Sequence, residues 1–107
     1  MSIDISFYKN IKENSYADSG YDTLDSSEIT SFTLSSRLND YWEVYNLIKE
    51  NYDDKLMNDP EIYIYAKRKI RNIYEKAVVE RLGKDIEDCL KEVLACNIDR
   101  CYIKVIE

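Results

Sequence analysis

Residues 59–82, DPEIYIYAKRKIRNIYEKAVVERL, form the stretch that most restricts how this chain folds. Asp59 is a good helix-capping residue, and Pro60 suits the first turn, where its missing backbone N–H costs nothing. Gly83 supplies the left-handed residue that commonly follows the end of a helix. These signals predict a helix of roughly 22 residues over 60–82.

The apolar residues of this predicted helix fall on two sides. Tyr63, Ile70 and Ala77 lie on one stripe at helical spacing, whereas Ile64 and Val78 lie nearly opposite. A helix that is apolar on two sides is expected to pack between other elements.

Further elements are predicted on both sides of this stretch. Apolar residues at helical spacing predict helices over about 36–52 and 85–96. Residues 2–8 and 100–106 alternate between apolar and polar side chains, which is typical of half-buried strands. Residues 29–34 fit either a third strand or the start of a helical series.

These elements predict an α+β fold in a single domain over 1–107. Strands at both ends with helices between them favour pairing of the ends into a small sheet covered by helices. Residues 9–27 are poor in aliphatic side chains and rich in Asp, Ser and Asn, so we expect a mobile loop there. Residues 53–58 are expected to form an acidic connection with room for a helical turn.

The composition argues against most catalytic chemistry. The chain has no histidine, which removes the commonest general base and metal ligand, and two glycines are too few for a GxGxxG motif or a phosphate-binding loop. Cys89, Cys96 and Cys101 are odd in number and lack CxxC spacing, so we expect reduced thiols. We therefore predict that the protein is not an enzyme and holds no cofactor or metal.

The sequence also gives expectations about location and origin. No apolar run approaches the ~18 residues of a membrane span, and the N-terminus lacks the features of a secretion signal, so we expect a cytoplasmic protein. Residues with AT-rich codons, among them ten tyrosines, far outnumber Gly, Ala, Arg and Pro. This bias favours a viral, phage or low-GC bacterial genome. A viral protein would act in the host cytoplasm.

Aromatic side chains on the predicted helix over 36–52 indicate protein binding. Tyrosine and tryptophan give large, rigid contact areas and concentrate at interfaces, and neighbouring acids would steer a basic partner. Codon bias together with core filling explains the same tyrosines equally well. The predicted partner-binding residues are Tyr41, Trp42, Glu43, Tyr45, Tyr52 and Asp53.

Nucleic-acid mimicry is one alternative function. Carboxylates aligned on one face would imitate phosphates and occupy a groove on a nucleic-acid-binding protein, although an ordinary solvated acidic face is the favoured interpretation. The acids concerned are Asp40, Glu43, Glu50, Asp53 and Asp54.

Direct nucleic-acid binding is the second alternative. The bases from Lys67 to Arg71 would neutralise phosphates, and Tyr63, Tyr65 and Tyr74 would stack on bases. A chain with a net charge of −6 repels a polyanion at long range, so pairing of these bases with acidic neighbours is favoured.

Residues 18–23, Asp-Ser-Gly-Tyr-Asp-Thr, resemble the phosphodegron that recruits β-TrCP ubiquitin ligases. The resemblance covers six residues, and Thr23 replaces the usual second serine. It implies phosphorylation of Ser19 and Thr23 in a eukaryotic host, with recognition by a basic pocket on the ligase. An ordinary Asp-Ser-Gly turn is the favoured alternative.

The leading hypothesis is therefore a small, acidic, non-catalytic protein that binds another protein with a basic surface. Its expected role is inhibition or modulation of that host or partner protein.

Overall fold

The computed structural model describes residues 2–10, 12–13, 21–22, 28–35, 41–56 and 62–106. Within these residues the elements follow in this order: β1 (Ser2–Tyr8), β2 (Lys12–Glu13), β3 (Tyr21–Asp22), β4 (Glu28–Ser35), α1 (Tyr41–Glu50), β5 (Asp54–Leu56), β6 (Ile62–Ala66), α2 (Lys67–Glu80), α3 (Lys84–Ala95) and β7 (Arg100–Ile106).

Five strands form one antiparallel sheet in the order β4-β1-β7-β6-β5. The two terminal strands are neighbours, with Ile5 opposite Val105 and Phe7 opposite Ile103. The predicted α+β fold is therefore confirmed, and β1 and β7 have the bounds predicted from their alternation. The ambiguous stretch over 29–34 belongs to a strand, β4. Separately, β2 and β3 pair with each other inside the predicted loop over 9–27.

The main core lies between one face of the sheet and the helices. Alternate residues of β1 and β7 point into it because successive side chains of a strand face opposite sides. Burying one such aliphatic or aromatic side chain contributes roughly 1.5–3 kcal/mol. Core residues from the sheet and helices include Ile3, Ile5, Phe7, Ile103, Ile70, Ile73, Ala77, Leu90 and Val93.

The predicted helix over 60–82 is wrong in its first part, because Ile62–Ala66 is strand β6. Its first four residues are β-branched or tyrosine, which favours a strand, and all four are buried. A central strand buried on both faces shows no alternation of apolar and polar residues. The apolar residues on two sides thus belong to the two faces of a strand, and the helix begins only at Lys67.

The end of α2 is formed by a different residue from the one predicted. The left-handed residue after α2 is Arg81, with φ of 54°, and its N–H donates to the Val78 carbonyl at 3.3 Å. Gly83, predicted for this role, instead precedes α3 with φ of 143°. The predicted start signals, Asp59 and Pro60, lie outside the described residues.

The remaining elements differ less from the predictions. Tyr41–Glu50 lies inside the helix predicted over 36–52, of which 36–40 fall outside the described residues. The third helix, Lys84–Ala95, begins and ends one residue before the predicted 85–96. The helical turn expected within 53–58 is wrong, because Asp54–Leu56 pairs with β6 as an edge strand.

Asp53 connects the edge of the sheet to the start of α2 through hydrogen bonds and a salt bridge. Its carboxylate accepts a hydrogen bond from the Ala66 backbone N–H at 2.7 Å and forms a salt bridge with Lys69 at 3.0 Å. Its own N–H donates to the Ile64 carbonyl at 2.8 Å. The hydrogen bond from Ala66 is the main cause that lowers the pKa of the Asp53 carboxyl, followed by the bond to Lys69.

We expect Asp53→Asn to make the protein less sensitive to acid. Because the folded-state pKa is lowered, the ionised carboxylate stabilises the native state above the unfolded pKa, and this contribution is lost as pH falls through the folded value. Thermal unfolding measured between about pH 5 and pH 2 should show a shallower fall in Tm for the variant than for the wild type. Asp54→Asn, which removes the carboxylate of the next residue, is the control for the loss of one negative charge. Identical slopes for Asp53→Asn and wild type would contradict the assignment.

Candidate functional site

The helix α1 packs Val44 and Ile48 into the core and leaves two flanks at the surface. Residues three or four apart on a helix share a side, which separates aromatic from acidic side chains on α1. We call the first side the aromatic flank, which comprises Trp42, Tyr45, Lys49 and Tyr52. The second is the acidic flank, which comprises Glu43 and Glu50.

Trp42 is the most exposed residue of the aromatic flank, with 64% of its surface accessible. Its ring meets the half-buried Tyr45 ring edge-on, with centroids 5.7 Å apart and an interplanar angle of 87°. The Lys49 Nζ donates to the Tyr45 hydroxyl at 2.7 Å and lies 4.7 Å from the ring centroid. Because these contacts already hold Tyr45, ordering its side chain on binding costs little additional entropy.

The aromatic flank continues past the end of α1 to the edge of the sheet. Tyr52 is 37% exposed, and its ring centroid lies 5.2 Å from that of the buried Tyr63. The Lys55 Nζ lies 5.7 Å from the Tyr52 centroid and 5.6 Å from the Tyr63 centroid. Rings and cations therefore alternate along this side of the molecule.

Not every predicted site residue contributes to this surface. Asp53 is occupied by its contacts with Ala66 and Lys69. The side chain of Tyr41 lies outside the described residues, as do Ser19 and Thr23 of the proposed phosphorylation loop.

The acidic flank lines a groove between α1 and α2. Glu43 and Glu50 share a depression of about 300 Å³ with Glu80 and Lys76 of α2. A neighbouring depression of about 200 Å³ contains Lys69 and Lys76. Lysines therefore interrupt the row of acids that nucleic-acid mimicry requires, and Asp40 lies outside the described residues.

The tyrosines predicted to stack on nucleic-acid bases are largely unavailable. Tyr63 and Tyr65 are only 2% and 0% exposed, so neither ring is open to stack on a base. The Lys67 Nζ donates to the Cys96 carbonyl at 2.6 Å at the end of α3. Because Lys69 pairs with Asp53, only part of the basic cluster is available to neutralise phosphates.

The cysteines show no sign of activation for chemistry. Cys89, Cys96 and Cys101 are free thiols. Burial is the main cause that raises the pKa of Cys89 and of Cys101, so both stay protonated and are weak nucleophiles at neutral pH. Among the described residues, no three His, Cys, Asp or Glu side chains come together as metal ligands would. Within the same part of the chain, no helix has the length and apolar character needed to cross a membrane.

Comparison with known proteins gives no match: no family model, no curated protein and no solved structure corresponds to this chain. The functional argument therefore rests on the fold and surface described above.

Proposed function

We propose that this protein binds another protein through the aromatic flank of α1 and catalyses no reaction. The observation that carries this proposal is Trp42, which is largely exposed beside an edge-on Tyr45 ring. Tryptophan and tyrosine dominate the binding energy of protein interfaces. Burying the exposed part of a tryptophan side chain would contribute roughly 3–4 kcal/mol to binding.

The chemistry of the surface defines the partner. An apolar pocket would receive Trp42, and the acidic flank would meet basic groups next to that pocket. The net charge of −6 favours encounter with a basic protein at long range. We propose that the complex inhibits or modulates the partner in the cytoplasm. The excess of residues that have AT-rich codons supports a viral, phage or low-GC bacterial origin.

Site-specific photo-crosslinking tests this proposal. A benzoylphenylalanine residue in place of Trp42 should join one discrete protein in an extract of the source cells. The same probe in place of Glu75, which is exposed on α2, should not join that protein. Equal crosslinking at both positions, or crosslinking only at position 75, would refute the aromatic flank as the binding surface.

A further inference from the structure

The strand β4 is an edge of the five-stranded sheet, and within the described residues it pairs only with β1. It is eight residues long, EITSFTLS, and carries a single charge at Glu28. Natural edge strands are usually short, charged or interrupted by proline, because unpaired backbone groups attract other strands. The opposite edge, β5, follows this rule with three residues that include Asp54 and Lys55. The long, nearly uncharged β4 does not.

The helix α3 lies over this edge, with Cys89 at the point of contact. The Thr30 hydroxyl donates to Cys89 Sγ at 3.4 Å, and the Cys89 thiol lies 3.5 Å from the Ser31 carbonyl oxygen. Three exposed carboxylates sit beside Cys89 at helical spacing, and their charges add to burial in raising the pKa of that thiol. We call them the acidic row: Asp85, Asp88 and Glu92.

An apolar notch of about 200 Å³ lies next to the acidic row. Phe32 and Leu34 of β4 form one side of it, and Leu82 and Ile86 form the other. Two oppositely charged residues, Lys84 and Asp85, also line the notch. The volume is sufficient for one aliphatic side chain. A strand added beside β4 would direct alternate side chains toward both the notch and the acidic row.

We propose that an extended segment of a partner protein, with basic side chains at alternate positions, adds to the sheet beside β4. Backbone hydrogen bonds to β4 supply affinity, while the alternate side chains that face α3 supply specificity. The basic side chains meet the acidic row, and an apolar side chain fills the notch. The strands β4 and β5 are opposite edges of the sheet, and α1 ends next to β5 in the chain. The surface beside β4 is therefore separate from the aromatic flank.

A second copy of this chain is a poorer occupant of the same edge. Two-fold pairing of β4 with itself would leave both copies of α3 on the same face of a continuous sheet. The two acidic rows would then face each other across the symmetry axis, and such like-charge contacts oppose association. Charge complementarity therefore selects a basic strand.

Two blocked synthetic peptides test the edge in both strand directions: Thr-Lys-Thr-Lys-Thr-Leu-Thr and Thr-Leu-Thr-Lys-Thr-Lys-Thr. At least one should bind and shift the backbone amide NMR signals of residues 28–35 without shifting those of α1. The same peptides with glutamate in place of lysine should not bind.

Methylation of the peptide backbone separates strand pairing from charge attraction. The N–H groups of alternate residues in a strand point to opposite sides, so only one alternate set faces β4. N-methyl groups on that set should abolish binding, whereas N-methyl groups on the other set should leave it unchanged. Equal effects of the two sets would overturn the proposal.

Charge reversal tests the acidic row. D88K/E92K should weaken peptide binding roughly tenfold, because two exposed charge pairs are lost and replaced by repulsion. D54K/E75K changes the net charge equally on β5 and α2, and its affinity should stay within about twofold of wild type. All four side chains are exposed, and circular dichroism will show whether each variant is folded.

Three other results would also overturn the proposal: binding of neither lysine peptide, signal shifts confined to α1, or equal weakening by the two charge-reversal variants. Concentration-dependent shifts at residues 28–35 without peptide would show that a second copy fills the edge instead.

Discussion

Between pH 9 and pH 11, ionisation of Cys101 and Tyr65 in the unfolded chain should lower the free energy of unfolding by about 4 kcal/mol. Cys101 and Tyr65 lie opposite each other on β7 and β6, and both are almost completely buried. Burial raises the pKa of Cys101 to about 12 and raises the pKa of the Tyr65 phenol well above its ordinary value. In the unfolded chain both groups ionise at ordinary values, about 8.5–9 for the thiol and about 10 for the phenol.

The free energy of unfolding falls as pH rises because both folded-state pKa values are raised. Stability is complete below the unfolded pKa of each group and is lost as pH rises toward the folded value, because only the unfolded chain releases the proton. Each group contributes a slope of about 1.4 kcal/mol per pH unit. The thiol acts from about pH 9 and the phenol from about pH 10, so the slope should double within this range. A loss of this size is a large part of a typical domain stability of about 5–15 kcal/mol.

Urea unfolding of matched variants will separate the two groups. Cys101→Val should flatten the slope from about pH 9, and Tyr65→Phe should flatten it from about pH 10. Among the described residues the Tyr65 hydroxyl has no hydrogen-bond partner, so Tyr65→Phe should not lower stability at neutral pH. Cys96→Ser, at a partly exposed thiol, is the control for the loss of a cysteine. The same slope in all four proteins would contradict the prediction.

Replacing Trp42 and Tyr45 together by alanine should weaken binding to the partner by at least about a hundredfold. Aromatic hot spots each contribute about 2 kcal/mol or more, and about 1.4 kcal/mol corresponds to a tenfold change in affinity. The fold should survive, because Trp42 is largely exposed and Tyr45 is only half buried.

The chain offers a matched control for this double variant. Val78 and Val79 are 41% and 79% exposed on α2, away from the aromatic flank. V78A/V79A removes apolar surface without touching α1, and its affinity should match the wild type. Titration with the partner identified by crosslinking at position 42 will measure the affinities of the wild type and of both double variants. Equal weakening by both double variants would show that binding does not depend on the aromatic flank.

Regular alternation made the terminal strands predictable. Ile3, Ile5 and Phe7 share one face of a strand with a polar opposite face, so the period is plain in the sequence. Ile62–Ala66 was misread because it is buried on both faces and runs directly into α2 without a loop. Local helix signals cannot show that residues 62–66 will pair with a strand on each side, β7 and β5.

The candidate binding surface could be predicted only in part for similar reasons. Helical spacing placed Trp42 and Tyr45 together, and the spacing of Tyr45 and Lys49 would also have identified that lysine. Lys55 was missed because it reaches Tyr52 only through the pairing of β5 with β6. The burial of Tyr63 and Tyr65 depends on the same sheet, so composition alone could not separate core tyrosines from surface ones.

Trp42 is the only tryptophan of the chain, so its fluorescence reports on the proposed interface without any label. Free protein should show the long-wavelength emission of a water-exposed indole, in accord with its 64% exposure. Addition of the partner should move the emission to shorter wavelength, with a titration curve that matches the affinity measured independently. Binding that leaves the emission of Trp42 unchanged would contradict the proposed role of the aromatic flank.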